Sequence, residues 1–77
     1  MTDEQYKKQK FITHELLELL KAIDKDILST EYQIIGSEEY VQVNWLYHGT
    51  GKDYHMRTCI TADSLRAIVI DVIKHIH

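Results

Sequence analysis

Five histidines in 77 residues are the side chains here with the most obvious capacity for chemistry, since imidazole is a common metal ligand and general base. The best grouping surrounds the turn of a predicted hairpin, where His48 lies opposite Asp53 and His55 lies diagonal to His48. Diagonal neighbours on adjacent strands are ~7–8 Å apart at Cα, which a shared zinc ion could bridge. No Cys-x-x-Cys or His-x-x-x-His spacing completes such a set. We therefore predict a solvated turn, with no metal site and no cofactor.

Cys59 is the one candidate nucleophile of the thiol type. Thiol catalysis needs a base within hydrogen-bond reach. The predicted register places Gln42 opposite Cys59, and His55 lies roughly 13 Å away along the strand. We predict no catalytic residue and no enzyme activity. A single cysteine also cannot form an internal disulfide, which favours a reducing, cytoplasmic setting.

The element that positions these side chains is a β-hairpin spanning residues 40–60. Two alternating runs flank a glycine-containing turn, and glycine supplies the positive φ of a short hairpin loop. We predict four pairs on the apolar face: Tyr47 with Tyr54, Trp45 with Met56, Val43 with Thr58, and Val41 with Ile60. A slip of one residue would exchange the two faces, so we expect this register to be specified.

The remaining elements are two helices and a first strand. Residues 3–28 have apolar positions at helical spacing and open with a Thr2/Gln5 capping box. Residues 62–77 form a second apolar-sided segment for which Thr61 is the predicted N-cap.

Residues 31–36 are the predicted first strand, followed by a turn over residues 36–39. A tight turn there pairs Ile34 with Val41 and Tyr32 with Val43. The fold class is therefore α+β, in the order α-β-β-β-α. We expect a single domain over residues 1–77, with two helices on one face of a three-stranded antiparallel meander. We expect the opposite face to stay open to water, as antiparallel sheets allow.

Composition excludes several classes of protein. Apolar residues make up 44% and charged residues 27%, as in ordinary globular domains rather than disordered chains. No segment approaches the ~20 apolar residues of a membrane span, and the N-terminus has no apolar region typical of a signal peptide. The net charge of −3 disfavours nucleic-acid binding, which needs a surplus of lysine and arginine on one face.

The element order resembles that of double-stranded-RNA-binding domains. Those domains carry a lysine cluster at the start of the second helix and a contact in the first strand loop. Here the matching positions hold Thr61-Ala62-Asp63-Ser64 and Gly36-Ser37-Glu38-Glu39. The residues that would carry RNA binding are absent, so the resemblance extends to topology alone.

The open sheet face is the predicted binding surface. Ile35, Tyr40 and Leu46 form an apolar spot there, ringed by polar residues. The predicted partner-binding residues are Ile35, Glu38, Glu39, Tyr40, Asn44, Leu46, His55 and Arg57. A second expectation is an anionic edge, in which five acids gather at one end of the sheet and imitate phosphates: Asp24, Asp26, Glu31, Glu38 and Glu39.

The favoured hypothesis is a small non-catalytic interaction domain that binds a protein partner. In size, charge and architecture the chain resembles inhibitors and regulators of phages and mobile elements, including anti-CRISPR and DNA-mimic proteins. Two alternatives stay open. One is a nucleic-acid-binding module of the double-stranded-RNA type. The other is a homodimer formed through the first helix, whose 16–20 segment is apolar on more than one side.

Overall fold

The chain folds in the predicted α-β-β-β-α order, with a three-stranded antiparallel sheet in the order β1-β2-β3. This is seen in a computed structural model that describes residues 1–47 and 51–76, with the side chain of residue 47 left out. The α+β class is therefore confirmed. The predicted turn residues His48, Gly49 and Thr50, together with His77, lie outside the described residues.

The N-terminal helix runs over residues 3–23 in three segments. They are α1 (Asp3–Lys10), the π-helical segment π1 (Phe11–Leu16) and α2 (Leu17–Ile23). The capping box is confirmed: the Gln5 amide donates to Thr2 Oγ1 at 3.2 Å, and the Thr2 amide donates to Gln5 Oε1 at 2.9 Å.

The helix ends five residues before the predicted boundary. Asp24 is extended, with φ −140°, and its Oδ1 accepts the amide of Asp26 at 3.0 Å. A side chain that bonds its own backbone two residues on favours a turn over continued helix. Ile27 and Leu28, assigned above to the helix, instead begin β1 (Ile27–Ile35).

Strands β2 (Glu38–Tyr47) and β3 (Lys52–Cys59) complete the sheet, and both predicted registers are wrong by two residues. Tyr32 pairs with Val41 rather than Val43. Val43 pairs with Met56 rather than Thr58. The first shift arises because the turn contains two residues rather than four, with Gly36 at φ +64°. A shift of two preserves both faces, because side chains alternate with period two.

The core lies between the helices and one face of the sheet. A register shift after Ile27 leaves Leu28 without a pairing partner, so Ile27 is buried while Leu28 is 48% exposed. The core combines residues from the N-terminal helix, strands β1 and β2, the turn after β3 and the last helix: Ile12, Leu16, Leu20, Ile27, Val41, Val43, Trp45, Ile60, Ile68 and Val72.

The last helix, α3 (Leu65–Ile76), starts later than predicted. Its cap is Ser64, whose Oγ accepts the Ala67 amide at 3.2 Å, rather than Thr61. A contact of 2.7 Å between Thr58 Oγ1 and His75 Nδ1 ties α3 to β3. No helix among the described residues is long and apolar enough to cross a membrane.

Candidate functional site: the open face of the sheet

The sheet has one face against the helices and one face turned away from them. Strand alternation assigns thirteen residues to the second surface, which we call the open face. Its members are Ser29, Glu31, Gln33, Ile35, Glu38, Tyr40, Gln42, Asn44, Leu46, Asp53, His55, Arg57 and Cys59. The predicted faces thus survive although the predicted pairings do not.

Seven of the eight predicted binding residues lie on the open face, and Glu39 does not. Glu39 has the same parity in β2 as Val41 and Val43, so its side chain is directed to the helix side. Its carboxylate binds Lys8 Nζ at 3.1 and 3.2 Å and accepts a hydrogen bond from the Tyr32 hydroxyl. The placement of Glu39 beside Glu38 at an exposed edge is therefore corrected. The alternation of side chains along β2 was enough to predict this, since Glu39 is two residues from Val41 and therefore faces the same side.

The predicted apolar spot is divided. Ile35, which is 50% exposed, pairs with Glu38, two pairs along from Gln33–Tyr40, so Ile35 and Tyr40 are diagonal neighbours on the same face. Leu46 lies six residues further along β2, roughly 20 Å away at the rise of a strand. The open face therefore carries apolar groups at two separate ends rather than one patch.

Between these ends runs a ladder of polar side chains across all three strands. Gln42 on the central strand accepts at Oε1 from Gln33 Nε2 at 3.0 Å and from Arg57 Nε at 3.1 Å. Its own Nε2 donates to Glu31 Oε2 at 3.0 Å and to Asn44 Oδ1 at 2.8 Å. Gln42 is thus the hub of the ladder.

Asn44 extends the ladder towards Ser29. Its Nδ2 lies 3.0 Å from Ser29 Oγ and 3.0 Å from Glu31 Oε2. The corrected register makes this network, since Arg57 is directly opposite Gln42 and His55 is opposite Asn44. The predicted partner-binding residues omit Gln33 and Gln42, for which same-face amides on adjacent strands were the available signal. Glu31 was predicted only as part of the anionic edge.

The chemistry of the open face is hydrogen bonding and charge. It carries the carboxylates of Glu31, Glu38 and Asp53 against the single guanidinium of Arg57, so with neutral histidine its charge is negative. Arg57 contributes its Nε donor to the ladder.

Cys59 lies at the Ile35 end of the open face, opposite Tyr40 rather than the predicted Gln42. Its Sγ lies 3.7 Å from Glu38 Oε2 and 3.5 Å from Thr61 Oγ1. Thr61 also donates to Glu38 Oε2 at 2.5 Å.

The absence of a metal site stays a prediction. In the described part of the chain, no three His, Cys, Asp or Glu side chains are grouped to hold a metal ion. Asp53 pairs with Leu46 rather than with His48, and His48 lies outside the described residues.

The predicted anionic edge does not form. Asp24 and Asp26 lie just before β1 begins, and Asp24 Oδ2 accepts the Trp45 indole N–H at 3.0 Å. Glu38 lies at the other end of β1, whose nine residues span roughly 30 Å. The acids are therefore spread along the sheet, and Glu39 is on its opposite face.

A second polar group, found only in the structure, lies on the helix side. It contains Lys8, Tyr32 and Glu39, and we call it the Glu39 cluster. The hydrogen bond from the Tyr32 hydroxyl lowers the pKa of Glu39 below its ordinary 4.5, and the hydrogen bond and positive charge of Lys8 lower it further. Burial opposes both effects. Burial, together with the bond to Glu39, raises the pKa of Tyr32. These groups join α1, β1 and β2.

Comparison with known proteins found no matching family, no matching curated protein and no matching solved structure.

Proposed function

We propose that this chain is a small, cytoplasmic, non-catalytic domain that binds a protein partner through the open face. The observation that carries the proposal is the ladder centred on Gln42, which holds side chains from three strands in fixed positions on a surface that the helices leave uncovered. Groups that are already ordered lose less conformational entropy when a partner binds, so such a surface favours recognition.

The distribution of side chains supports a protein partner over a nucleic acid. The carboxylates of the open face outnumber its one guanidinium, which would repel phosphates. Apolar contacts are available at both ends, from Ile35 and Tyr40 at one end and Leu46 at the other. Such a surface suits a protein partner whose own surface carries both polar and apolar groups.

In its finer form, the proposal is that the chain inhibits or regulates its partner, as small phage and mobile-element proteins do. The net charge of −3 favours a partner with a basic surface. Because the acids are spread along the sheet, the proposal rests on the open face and not on a row of phosphate-like carboxylates.

The test uses a double variant of the open face, Leu46→Asn with Arg57→Ala. The matched control is Leu19→Asn with Lys21→Ala, since both of these residues are exposed on α2. Tagged wild-type, open-face and control proteins would be used to capture partners from lysate of the source cells, with nuclease added. Circular dichroism would verify that each variant is folded.

We expect one stoichiometric protein partner with the wild type and the control, and at least ~10-fold less with the open-face variant, as for loss of an interface contact worth about 1.4 kcal/mol. Equal capture by all three proteins would refute the site. Loss in the α2 control alone would move the interface to the helix, where Leu19 and Ile23 are each 45% exposed, and light scattering on dilution would then test for a homodimer. Loss of every partner on nuclease treatment would favour the nucleic-acid alternative.

A further inference from the structure

Strand β3 forms one of the two edges of the sheet. The strand order is β1-β2-β3, and no strand among the described residues pairs with β3 on its far side. β3 is eight residues long, contains no proline and keeps a continuous register with β2. A regular edge of this kind presents a row of unpaired N–H and C=O groups to which a further strand can bind. We call this outward row of β3 the β3 edge.

The opposite edge of the sheet, β1, is protected in two ways. Its register is interrupted between Ile27 and Ser29, and such irregularities disfavour pairing with a further strand. The N-terminal helix also packs against β1, where Thr30 Oγ1 donates to Ile12 O at 2.5 Å. By contrast, the side chains of residues 52–55 and 57 in β3 are exposed. The β3 edge is therefore the one that is open to another strand.

The hydrogen bonds at the end of β3 determine which backbone groups point outward. The Ile60 amide donates to Glu39 O at 2.9 Å, so the backbone groups of the even-numbered residues are directed to β2. Because these directions alternate along a strand, the N–H and C=O groups of Asp53, His55 and Arg57 point to the free edge. The side chains of the same three residues lie on the open face.

The charges along the β3 edge are complementary to a second copy of the same strand. In a two-fold antiparallel pair, the residue on the axis sets the register. An axis at His55 places Asp53 opposite Arg57 of the second copy, and symmetry forms this favourable pair twice. An axis at Tyr54 or at Met56 moves each carboxylate two residues away from the guanidinium. A guanidinium has five N–H donors, so its Nε bond within the chain is compatible with binding this carboxylate.

The side chains on the helix side of β3 also suit an axis at His55. That axis places Tyr54, which is 55% exposed, opposite Met56 of the second copy. A thioether sulfur and an aromatic ring make a favourable contact. The Tyr54 ring packs edge-on against Trp45 in its own chain, which restricts the orientation of the ring. Both faces of the strand therefore favour the same register.

We propose that two copies of this chain pair through the β3 edge, with the two-fold axis at His55, and form one six-stranded antiparallel sheet. The outward backbone groups of β3 then obtain hydrogen-bond partners from the second copy. The axis is perpendicular to the sheet, so the two open faces lie on the same side. With about 4.8 Å between strands, they form one surface roughly 24 Å wide. This dimer does not rest on the proposed function, because it requires no other protein.

Sedimentation of the purified protein over a range of concentrations at pH 8 tests the charge pairs. The variants are Asp53→Arg and Arg57→Asp, with Leu19→Asn on the exposed side of α2 as the control. We expect the wild type and the control to dimerise. Each charge variant should raise the dissociation constant at least ~10-fold, because like charges are then directly opposite at two places. An equimolar mixture of the two charge variants should dimerise again, since each arginine then meets an aspartate.

The mixture separates loss of pairing from loss of folding, because variants that fail to fold cannot restore each other. A wild type that is monomeric at every concentration overturns the proposal. A mixture that dimerises no better than its two components also overturns it. Dimers that survive both charge substitutions and are lost in Leu19→Asn would place the interface on the N-terminal helix instead. None of these results depends on whether the open face captures a partner from lysate.

Disulfide cross-linking tests the position of the axis. In a Cys59→Ser background, His55→Cys puts two thiols at the axis, where opposite Cα atoms are about 5.5 Å apart, within the range of a disulfide. Oxidation with diamide should then give a covalent dimer. The wild type is the matched control, because Cys59 lies opposite Gly51 of the second copy and the two native thiols are roughly 26 Å apart. Equal cross-linking of the wild type would overturn the proposed register.

Discussion

The hydroxyl of Thr30 should stabilise the junction between β1 and the π-helical segment. Thr30 is 5% exposed, and its Oγ1 donates to the carbonyl oxygen of Ile12 at 2.5 Å. Ile12 lies inside π1, where a second hydroxyl, that of Thr13, donates to Gln9 O at 2.8 Å. Polar groups that bond helix carbonyls from the side accompany local distortions of the helix ladder. Thr30 is thus the link between this distortion and the sheet.

The informative perturbation is Thr30→Val, which keeps the shape of the side chain and removes the hydroxyl. Leaving a buried carbonyl without its donor costs about 1–3 kcal/mol. At 0.05–0.15 kcal/mol per residue, a chain of 77 residues has a total stability of about 4–12 kcal/mol. The substitution should therefore remove a large fraction of the stability, and lower Tm by roughly 4–8 °C for each kcal/mol.

The matched control is Thr30→Ser, which keeps the hydroxyl and removes one methyl group at a cost of about 1 kcal/mol. If the hydrogen bond dominates, the order of stability is wild type, then Ser, then Val. If only packing matters, the order becomes Val equal to or above wild type, with Ser below both. The two explanations thus differ in the sign of the Ser–Val comparison.

Urea unfolding followed by the fluorescence of Trp45 is the assay. Trp45 is the only tryptophan and is 7% exposed, so unfolding should change its emission. With a slope near 1 kcal/mol/M for a chain of this length, the midpoint for Thr30→Val should fall by about 1–3 M. A Val variant that is at least as stable as the wild type, with an unchanged slope, would refute the role assigned to the hydroxyl.

Three further predictions concern residues of the turns and the Glu39 cluster. Because the pKa of Glu39 is lowered, its contribution to stability is present above pH 4.5 and is lost as the pH falls. Glu39→Gln should therefore lower the free energy of unfolding by about 1–2 kcal/mol at pH 7 and reduce the fall in stability at acid pH. An unchanged fall in stability at acid pH would contradict this. Gly36→Ala should lower the free energy of unfolding by about 1 kcal/mol, because φ at this position is +64°. The added Cβ meets no neighbouring side chain within 4 Å, so backbone strain is the cause. Equal stability by calorimetry would count against the turn geometry. Ala62→Gly is the converse, and should raise stability by up to about 1 kcal/mol by relieving φ +64°; a loss of stability would show that the Ala62 methyl group is needed.

The candidate site could be foreseen in part. Seven predicted binding residues lie on the open face because period-two alternation fixes the face of a side chain without reference to its partner. The ladder around Gln42 could not be foreseen, because it depends on which residue is directly opposite which. Arg57 is directly opposite Gln42 in the observed register, whereas the predicted register placed Cys59 there.

What the sequence by itself determined is therefore local: the element order, the capping box at Thr2 and the side of the sheet on which each strand residue lies. The registers required the tertiary structure, because a shift of two residues leaves every face unchanged and only the length of each turn selects among such shifts. The helix boundary required it as well, since Ile27 fits either the helical stripe or the buried strand position that it occupies.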